Sequence, residues 1–401
     1  MDENKKKPEI NFNKFKEDWE QRKLGDYIIP YSEVTTENNQ YPILTSSRKG
    51  IFLQTDYYRG HQIASANNSG YNIVPRGFFT YRHMSDDEVF KFNINNLVDF
   101  GIVSTLYPVF TTNSELNSKY LQYQLNEGAN FRNFAKLQKQ GGSRTYMYLS
   151  KLKELTLTMP KTLEEQKNIS DFFTTIDKLI NLHQDKYHKL ITIKNSLIEK
   201  ILPLDGTNVP EIRFAGFTDH WEQRKAADIF MSITNKNHPH LPVLSATQEH
   251  GMILRENTGI NISHDKNNEA TYKRVLPGQF VIHLRSFQGG FAHSKVEGIT
   301  SPAYTVMDFF EKEKHYDFFW KYIFKSEKFI KSLRNVTYGI RDGRSINFDD
   351  FSTMIVLFPS YDEQKVIGQF FQSFDHLINL NQRKLEILKN IKKSMFEKMF
   401  V

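Results

Sequence analysis

Apolar residues recur three and four positions apart in two long segments, which is the spacing of one helix face. Neither segment contains a proline, and only Gly368 interrupts the second. Polar residues stand in the middle of each apolar series, at His183 and Lys186 in the first and at Asn381 and Lys384 in the second. The spacing predicts two long helices that carry the seam of a coiled coil, with polar residues that fix its register. The predicted seam residues are Ile169, Phe172, Ile176, Leu179, Leu190, Ile193 and Leu197, then Ile367, Phe370, Phe374, Leu377, Leu388, Ile391 and Met395.

Both helices have a predicted start signal. Thr162 follows Pro160 and precedes Glu165 by three residues, and Ser360 likewise precedes Glu363. This is the spacing of a capping box, in which the hydroxyl accepts from a free backbone N–H and the glutamate reaches back. Helices of about forty residues would each be ~60 Å long. Each needs a partner for its apolar face, and an antiparallel pairing of the two is expected.

The segments 24–159 and 226–358 contain short apolar runs between Gly, Asn and Ser turns, which favours strands. Helices are expected at 113–137 and 308–335. The two segments share a skeleton, since GIVSTLYPV at 101–109 corresponds to GITSPAYTV at 298–306. Most other positions differ between them.

The whole chain is a repeat. WEQRK occurs at 19–23 and at 221–225, and EQK opens both long helical segments, at 165–167 and at 363–365. Blocks that recur in this order indicate two copies of one unit of about 200 residues, a period too long for a solenoid.

Composition narrows the class of protein. The chain has 401 residues, enough for two domains, and no cysteine, which excludes disulfides and thiolate metal sites. We find no apolar run long enough to cross a membrane and a polar N-terminus, so we expect a soluble, cytoplasmic protein. The net charge of +7 suits a polyanionic partner.

These features together resemble the specificity subunit of a type I restriction-modification enzyme. The resemblance covers the whole chain and rests on the duplicated WEQRK, the paired Pro42–Leu44 and Pro242–Leu244 segments, the GGSR and GIRDGR loops and the two helical blocks. It implies an α+β fold with two pseudo-twofold-related mixed α/β target recognition domains, separated by two long, antiparallel coiled-coil helices. The expected boundaries are 1–160 and 206–359 for the recognition domains, and 161–205 and 360–401 for the helices.

The resemblance also implies a function. Each recognition domain would read one half of a bipartite sequence in double-stranded DNA, and the helices would separate the domains and dock two methyltransferase subunits. Motor-nuclease restriction subunits would join for cleavage. S-adenosylmethionine, ATP and Mg²⁺ would belong to those partners, with no cofactor, metal or catalytic residue in this chain.

Motifs for catalysis are absent from the sequence. It contains neither of the glycine-rich phosphate-binding motifs and no Asn-Pro-Pro-aromatic motif of adenine methyltransferases. His238, His240, His250 and His264 are interpreted as loop histidines rather than a zinc site. The run Asp86-Asp87-Glu88 is interpreted as solvated charge, with a divalent-cation site as the less favoured alternative.

Candidate DNA-contact residues lie in loops that combine cations with glycines, because glycine allows close approach to phosphate and arginine can grip guanine through two hydrogen bonds. The candidates are Arg132, Lys136, Lys139, Gln140, Ser143 and Arg144 in the first copy, Lys331, Arg334, Tyr338, Arg341, Arg344 and Ser345 in the second, and the further loop residues Ser47, Arg48, Lys49 and Gln288.

Two other functions stay open from the sequence. The chain could be a complete DNA adenine methyltransferase with unrecognised motifs, which would bind S-adenosylmethionine itself. It could also be a coiled-coil adaptor that binds proteins, which would lack a salt-dependent affinity for DNA.

Overall fold

The computed structural model describes residues 7–61, 63–139, 143–204, 206–259, 266–283, 290–333 and 346–400. Candidate residues Gln140, Gln288, Arg334, Tyr338, Arg341, Arg344 and Ser345, together with His264, lie outside the described residues. The chain forms two compact units, one of Met1–Leu182 with Leu385–Val401 and the other of His183–Lys384.

The first unit contains short strands and helices. Its strands are β1 (Glu20–Lys23), β2 (Ile28–Tyr31), β3 (Leu44–Ser47), β4 (Gly50–Leu53), β5 (Asn72–Pro75), β6 (Phe79–Thr80), β7 (Met84–Ser85), β8 (Asn93–Ile94), β9 (Phe100–Val103), β10 (Val109–Thr112), β11 (Thr145–Tyr146) and β12 (Thr156–Met159). Its short helices are α1 (Gln54–Tyr57), α2 (Ser118–Glu127), α3 (Ala129–Leu137) and α4 (Leu149–Leu152). The central sheet has the antiparallel order β2-β10-β6-β8, with small two-stranded sheets β1-β12, β3-β4, β5-β9 and β11-β7 around it.

A long helix, α5 (Leu163–Ile201), follows β12. The second unit repeats the topology of the first, with a central sheet in the order β14-β21-β18-β19. Its elements are β13 (Glu222–Lys225), β14 (Phe230–Ile233), β15 (Leu244–Thr247), β16 (Gly251–Leu254), β17 (Lys273–Val275), β18 (Phe280–Ile282), β19 (Phe291–His293), β20 (Gly298–Thr300), β21 (Thr305–Phe309), α6 (Asp317–Ile323), α7 (Glu327–Ser332), α8 (Phe348–Ser352), β22 (Ile355–Phe358) and the second long helix α9 (Tyr361–Met399).

The helix predicted at 308–335 is wrong at its start, since Asp308 and Phe309 belong to the buried strand β21. The helix predicted at 113–137 is divided in two at Gly128, which has an extended backbone. Short segments such as these have no strong intrinsic preference for helix or strand, so packing against the sheet determines their secondary structure. No helix among the described residues is long and apolar enough to cross a membrane.

We call the short strands and helices of each unit its recognition region. The EQRK residues of the duplicated WEQRK form a strand of that region beside the start of a long helix. In the first unit β1 pairs antiparallel with β12, the strand that leads into α5, and in the second β13 pairs with β22, which leads into α9. Trp19 and Trp221 are buried in the two cores, at 2% and 1% exposure. The repeat is therefore a structural feature that fixes where each long helix begins.

Half of the predicted capping box is confirmed at the start of α5, where the Thr162 hydroxyl accepts from the Glu165 N–H at 3.3 Å. The other half is replaced, because Glu165 accepts from Trp19 Nε1 at 3.0 Å. At the start of α9, Glu363 accepts two bonds from Arg213, at 2.8 and 2.7 Å. Both carboxylates are buried and take side-chain donors. The donor to Glu165 is the first residue of WEQRK itself, whereas Arg213 lies eight residues before the second WEQRK. Burial also raises the pKa of Glu165.

The glutamine of each EQK motif is buried and ties the helix start to the recognition region. Gln166 donates to the carbonyls of Pro160 and Glu115, at 3.2 and 3.4 Å, and accepts from the backbone N–H of Asn117 at 2.8 Å. Gln364 makes the equivalent bonds to Pro359, Lys314 and Tyr316, at 2.9, 3.1 and 3.0 Å. Because the hydrogen bonds of each buried amide are all made, the amide specifies one arrangement of the helix start against the recognition region.

A cluster of Asp, Lys and Tyr joins three elements in each unit. In the first, Asp177 of α5 accepts from Tyr123 of α2 at 2.7 Å and pairs with Lys392 of α9 at 2.9 Å. In the second, Asp375 of α9 accepts from Tyr322 of α6 at 2.7 Å and pairs with Lys194 of α5 at 2.5 Å. We call these the two Asp-Lys-Tyr clusters.

The long helices are antiparallel within each unit. In the first unit Phe173 packs on Phe396, with ring centroids 5.4 Å apart, whereas the later residue Asp177 pairs with the earlier residue Lys392. In the second unit the C-terminal part of α5 lies beside the N-terminal part of α9, where Lys194 pairs with Asp375. The predicted fold class is confirmed: mixed recognition regions and two long antiparallel helices.

The residues that form the helix seam differ in part from those predicted. Leu179, Ile193, Leu377 and Ile391 are 40%, 48%, 45% and 44% exposed, and Lys186 and Lys384 are also exposed. Both the predicted and the observed series keep a seven-residue repeat. They share the line that begins at Ile169, but the second buried line begins at Phe173, one residue after the predicted Phe172. The more buried positions are Ile169, Phe173, Ile176, Ile180, His183, Tyr187, Leu190, Lys194, Leu197 and Ile201, then Ile367, Phe371, Phe374, Ile378, Asn381, Leu385, Leu388, Lys392, Met395 and Met399.

The predicted polar interruption is confirmed at two positions. His183 Nδ1 lies 3.3 Å from Asn381 Oδ1, and Asn381 also donates to the Leu377 carbonyl at 2.8 Å. Polar pairs of this kind discriminate against shifted registers of the seam.

The buried His315 predicts a pH-dependent stability of the second unit. Burial, then the nearby Arg224, lowers its pKa to about 4. The unfolded chain takes up this proton first, so stability should fall by ~3 kcal/mol as the pH drops from about 6.5 to about 4. Leu116 occupies the corresponding place in the first unit, between the partners of Gln166. We expect His315→Leu to remove most of this pH dependence in denaturant unfolding of the full chain; an unchanged profile would contradict the assignment.

Candidate nucleic-acid interface

The hairpin of β3 and β4 presents two of the predicted contact residues at its tip. The Ser47 hydroxyl donates to the Gly50 carbonyl and accepts from the Lys49 N–H, both at 3.1 Å. Gly50 has a φ of +130°, a conformation that a side chain would strain. This turn places Arg48 and Lys49 outside the sheet.

Three predicted cations converge on the acidic loop, by which we mean residues Asp86-Asp87-Glu88 after β7. Arg48 donates through both Nη atoms to Asp87, at 2.7 and 2.5 Å. Arg144, just before β11, donates from Nε to Asp86 at 2.9 Å, and Lys139, after α3, pairs with Glu88 at 2.6 Å. The structure thus brings together residues from three separate segments. Asp86 and Asp87 are exposed, which agrees with the interpretation of the loop as solvated charge, and each acid of the loop also has a cationic partner.

The two arginines are held differently. Both Nη atoms of Arg48 are engaged by Asp87, so its terminal fork is occupied. Arg144 uses only Nε within the described residues, which leaves its Nη fork available for a planar acceptor pair such as the N7 and O6 of guanine. The hydrogen bond from Arg48 holds the pKa of Asp87 well below its usual range. These pairs are exposed and add little to stability, so their role is to orient side chains.

Sequence reasoning missed an exposed aromatic group next to Arg144. Tyr146 and Tyr148 stack with ring centroids 5.9 Å apart, and His83 stacks on Tyr148 at 5.1 Å. Tyr146 and Tyr148 are 40% and 52% exposed. The alternation in RTYMY at 144–148 could have revealed them, because Thr145 and Met147 are buried and the tyrosines face outward.

A cavity of about 390 Å³ belongs to the second unit, and a smaller one of about 250 Å³ lies beneath the first hairpin. The smaller one is lined by the hairpin, by Tyr57 and Tyr58 and by Arg82, which sequence reasoning also missed. Positive charge next to aromatic rings is a common setting for nucleic-acid contact.

Other predicted residues lie apart from the acidic loop or carry less information. Arg132 and Lys136 are exposed on α3, and Arg132 donates to the Glu127 carbonyl at 3.2 Å. Ser143 is exposed beside Arg144. In the second unit Lys331 is exposed and lies 3.4 Å from Glu327.

The second hairpin, β15–β16, has a different tip. Gln248, Glu249 and His250 stand where the first copy has Arg48 and Lys49. Within the described part of the chain no three His, Asp or Glu side chains could hold a metal ion together. His238 lies 2.8 Å from Asn235 and His250 lies 3.8 Å from Glu249, so these histidines have local partners.

The comparisons with known proteins identify the family. The family model "Type I restriction modification DNA specificity domain" matches residues 16–192 and 218–390, so the chain belongs to this family of DNA-recognition proteins, which are not the catalytic subunits. A protein of Methanocaldococcus jannaschii described as a putative type I restriction enzyme MjaX specificity subunit is 22% identical, with 98% of this chain and 95% of the relative covered.

Solved structures share the fold over nearly the full length. The type I restriction-modification S subunit from M. genitalium matches with a TM-score of 0.55 at 14% identity, covering 98% of this chain and 99% of that one. A chain from a structural study of complex assembly and conformational transition of the type I system matches with a TM-score of 0.51 at 14% identity, covering 95% and 97%.

The geometry around the acidic loop predicts different effects for its two arginines. We expect Arg144→Ala to relax one base position in one half of the methylated motif, a loss of ~1–3 kcal/mol, because it removes the free guanidinium fork. Arg144→Lys should relax the same position, since lysine keeps the charge without the fork. Arg48→Ala is the matched control and should keep the motif. Sequencing of modified adenines and DNA-binding assays provide the measurements. A loss of affinity that is uniform across sequences would make Arg144 a phosphate contact, and an unchanged motif with unchanged affinity would move the reading surface elsewhere.

Proposed function

We propose that this chain is the specificity subunit that reads a bipartite DNA target for a type I restriction-modification complex. The observation that carries the proposal is one frame built twice with different exposed residues. The buried glutamine makes equivalent hydrogen bonds at the two helix starts, whereas the hairpin tips differ. Two recognition domains that share a fold but differ in their exposed residues are suited to bind two different DNA half-sites. The recognition domains would comprise 1–160 and 206–359, with helices at 161–205 and 360–401.

The proposed assembly assigns the chemistry to other subunits. Two methyltransferase subunits would dock on this chain and supply S-adenosylmethionine chemistry, and motor-nuclease subunits would supply ATP- and Mg²⁺-dependent cleavage. This chain would contribute the contacts to double-stranded DNA. A role on cellular DNA places the complex in the cytoplasm.

A repeated set of exposed aliphatic residues supports docking of two identical partners. The first unit carries Leu179, Leu182 and Ile391, which are 40%, 62% and 44% exposed; the second carries their repeats Leu377, Leu380 and Ile193, at 45%, 39% and 48%. Exposed aliphatic side chains are unfavourable in water, and their recurrence in both units favours a bound surface. One methyltransferase subunit per set is the proposed stoichiometry.

Modular reading has a direct test. Replacing residues 24–159 with the matching region of a relative should change one half of the methylated motif and leave the other half unaltered. The contacts at Gln364 and Asp375 lie outside the exchanged region, so the second reader keeps its support. A simultaneous change in both halves would contradict two independent readers.

The docking surface can be tested with repeated substitutions. We expect Leu182→Ser or Leu380→Ser to leave a complex with one methyltransferase, and the double variant to retain neither, because each leucine contributes ~1.5–3 kcal/mol when buried. Native mass spectrometry of the purified complex gives the stoichiometry. Leu163→Ser is the matched control, since Leu163 is 44% exposed on a different face of the same helix. Two methyltransferases on the double variant would move the docking surface elsewhere.

A further inference from the structure

The cavity of about 390 Å³ in the second unit is rich in lysine. It lies between the tip of the β15–β16 hairpin, α6 and the two long helices. Four of its lining residues are Lys194, Lys295, Lys321 and Lys325. Like charges this close repel one another unless anions neutralise them.

Carboxylates of the described residues neutralise only part of this charge. Asp375 pairs with both Lys194 and Lys321, at 2.5 and 2.8 Å. These lysines hold the pKa of Asp375 well below its usual range, although burial alone would raise it. Lys325 donates to the backbone carbonyl of Glu249 at 2.8 Å and Lys295 lies over the Phe318 ring at 5.6 Å. Within the described part of the chain, neither Lys325 nor Lys295 has a carboxylate partner.

The first unit builds the same frame with a different charge balance. Its Asp-Lys-Tyr cluster contains a second acid, because Lys392 also pairs with Glu127 at 2.6 Å. Asn126 follows Tyr123 by three residues, whereas Lys325 follows Tyr322 by three. The second unit has therefore gained a cation where the first has a neutral side chain. Lys91 and Lys119 also lie near the first cluster, where three lysines face the two acids Asp177 and Glu127. In the second unit four cavity lysines face Asp375 and Glu249.

We propose that this cavity is a binding site for a phosphate-class oxyanion, held by Lys325 and Lys295 of its lining. A tetrahedral oxyanion offers several acceptors to ammonium groups that converge from different elements. Half-burial strengthens such contacts relative to water. Burial, then Lys321 and Lys194, lowers the pKa of Lys325 to about 8, which marks a cation that a bound anion would stabilise.

Titration calorimetry of the full chain with inorganic phosphate tests the site. We expect saturable binding of one phosphate, weakened about tenfold or more by Lys325→Gln or by Lys295→Gln, which each remove a charged donor. Lys325→Glu serves as a second variant, since its carboxylate would pair with Lys321 and Lys194. It should raise the melting temperature without phosphate and abolish binding. Lys365→Gln, an exposed lysine of α9 outside the cavity, should bind as the unmodified protein does.

The origin of the phosphate follows from a second titration in the presence of duplex DNA. Loss of phosphate binding at saturating DNA would assign the site to a backbone phosphate of DNA. Simultaneous binding of both would assign it to a free phosphate or a phosphorylated metabolite. Absence of saturable phosphate binding, or equal affinity in all the variants, would overturn the proposal. The phosphate titration alone does not depend on the proposed reading of a bipartite target, whereas the titration with DNA requires only that the chain binds duplex DNA.

Discussion

A half-buried carboxylate at the junction of three elements is the contact on which the rest of each unit depends. Asp177 and Asp375 each accept a tyrosine hydroxyl from the recognition region and a lysine from the opposite helix. Removing one member would leave a partly desolvated charge without its partner, which costs more than the pair contributes. The contact therefore specifies one position of the helices against each recognition region. The buried Gln166 and Gln364 fix the same junction from the helix start.

Much of this frame could be predicted from the sequence because duplication repeats its signal. WEQRK and EQK recur, and both have structural roles. The first forms a strand beside each long helix. The second places a buried glutamine beside a buried glutamate, which accepts from Trp19 in the first copy and from Arg213 in the second. The seam was less predictable. Leu179 and Ile193 fit a helical face as well as the buried positions do, and only the partner helix decides which stripe is covered. The Asp-Lys-Tyr clusters join residues about 50 to 270 positions apart, so no local pattern could indicate them.

The sequence predicted which cations belong to the candidate DNA interface, but not how they are arranged. Arg48, Lys139 and Arg144 were candidates individually, yet their convergence on the acidic loop depends on three loops of the fold. In the proposed DNA interface, the acidic loop would orient the guanidinium groups. Its negative charge would also weaken contacts with the phosphates of DNA of any sequence. The second hairpin carries Glu249 in the corresponding place. In the proposed function, a shared fold with different hairpin tips would allow a change of DNA specificity without a change of fold.

We propose that each recognition region is fixed to the helix pair, so that the length of the helices sets the distance between the two DNA half-sites. Seven residues inserted after Asp185 in α5 and seven after Arg383 in α9 would preserve the seven-residue repeat and both Asp-Lys-Tyr clusters, although they would separate His183 from Asn381. They lengthen each helix by ~10 Å, which equals roughly three base pairs. Sequencing of methylated adenines should then show the same two half-sites with a longer spacer. An active complex that methylates the original motif with its original spacer would contradict the account.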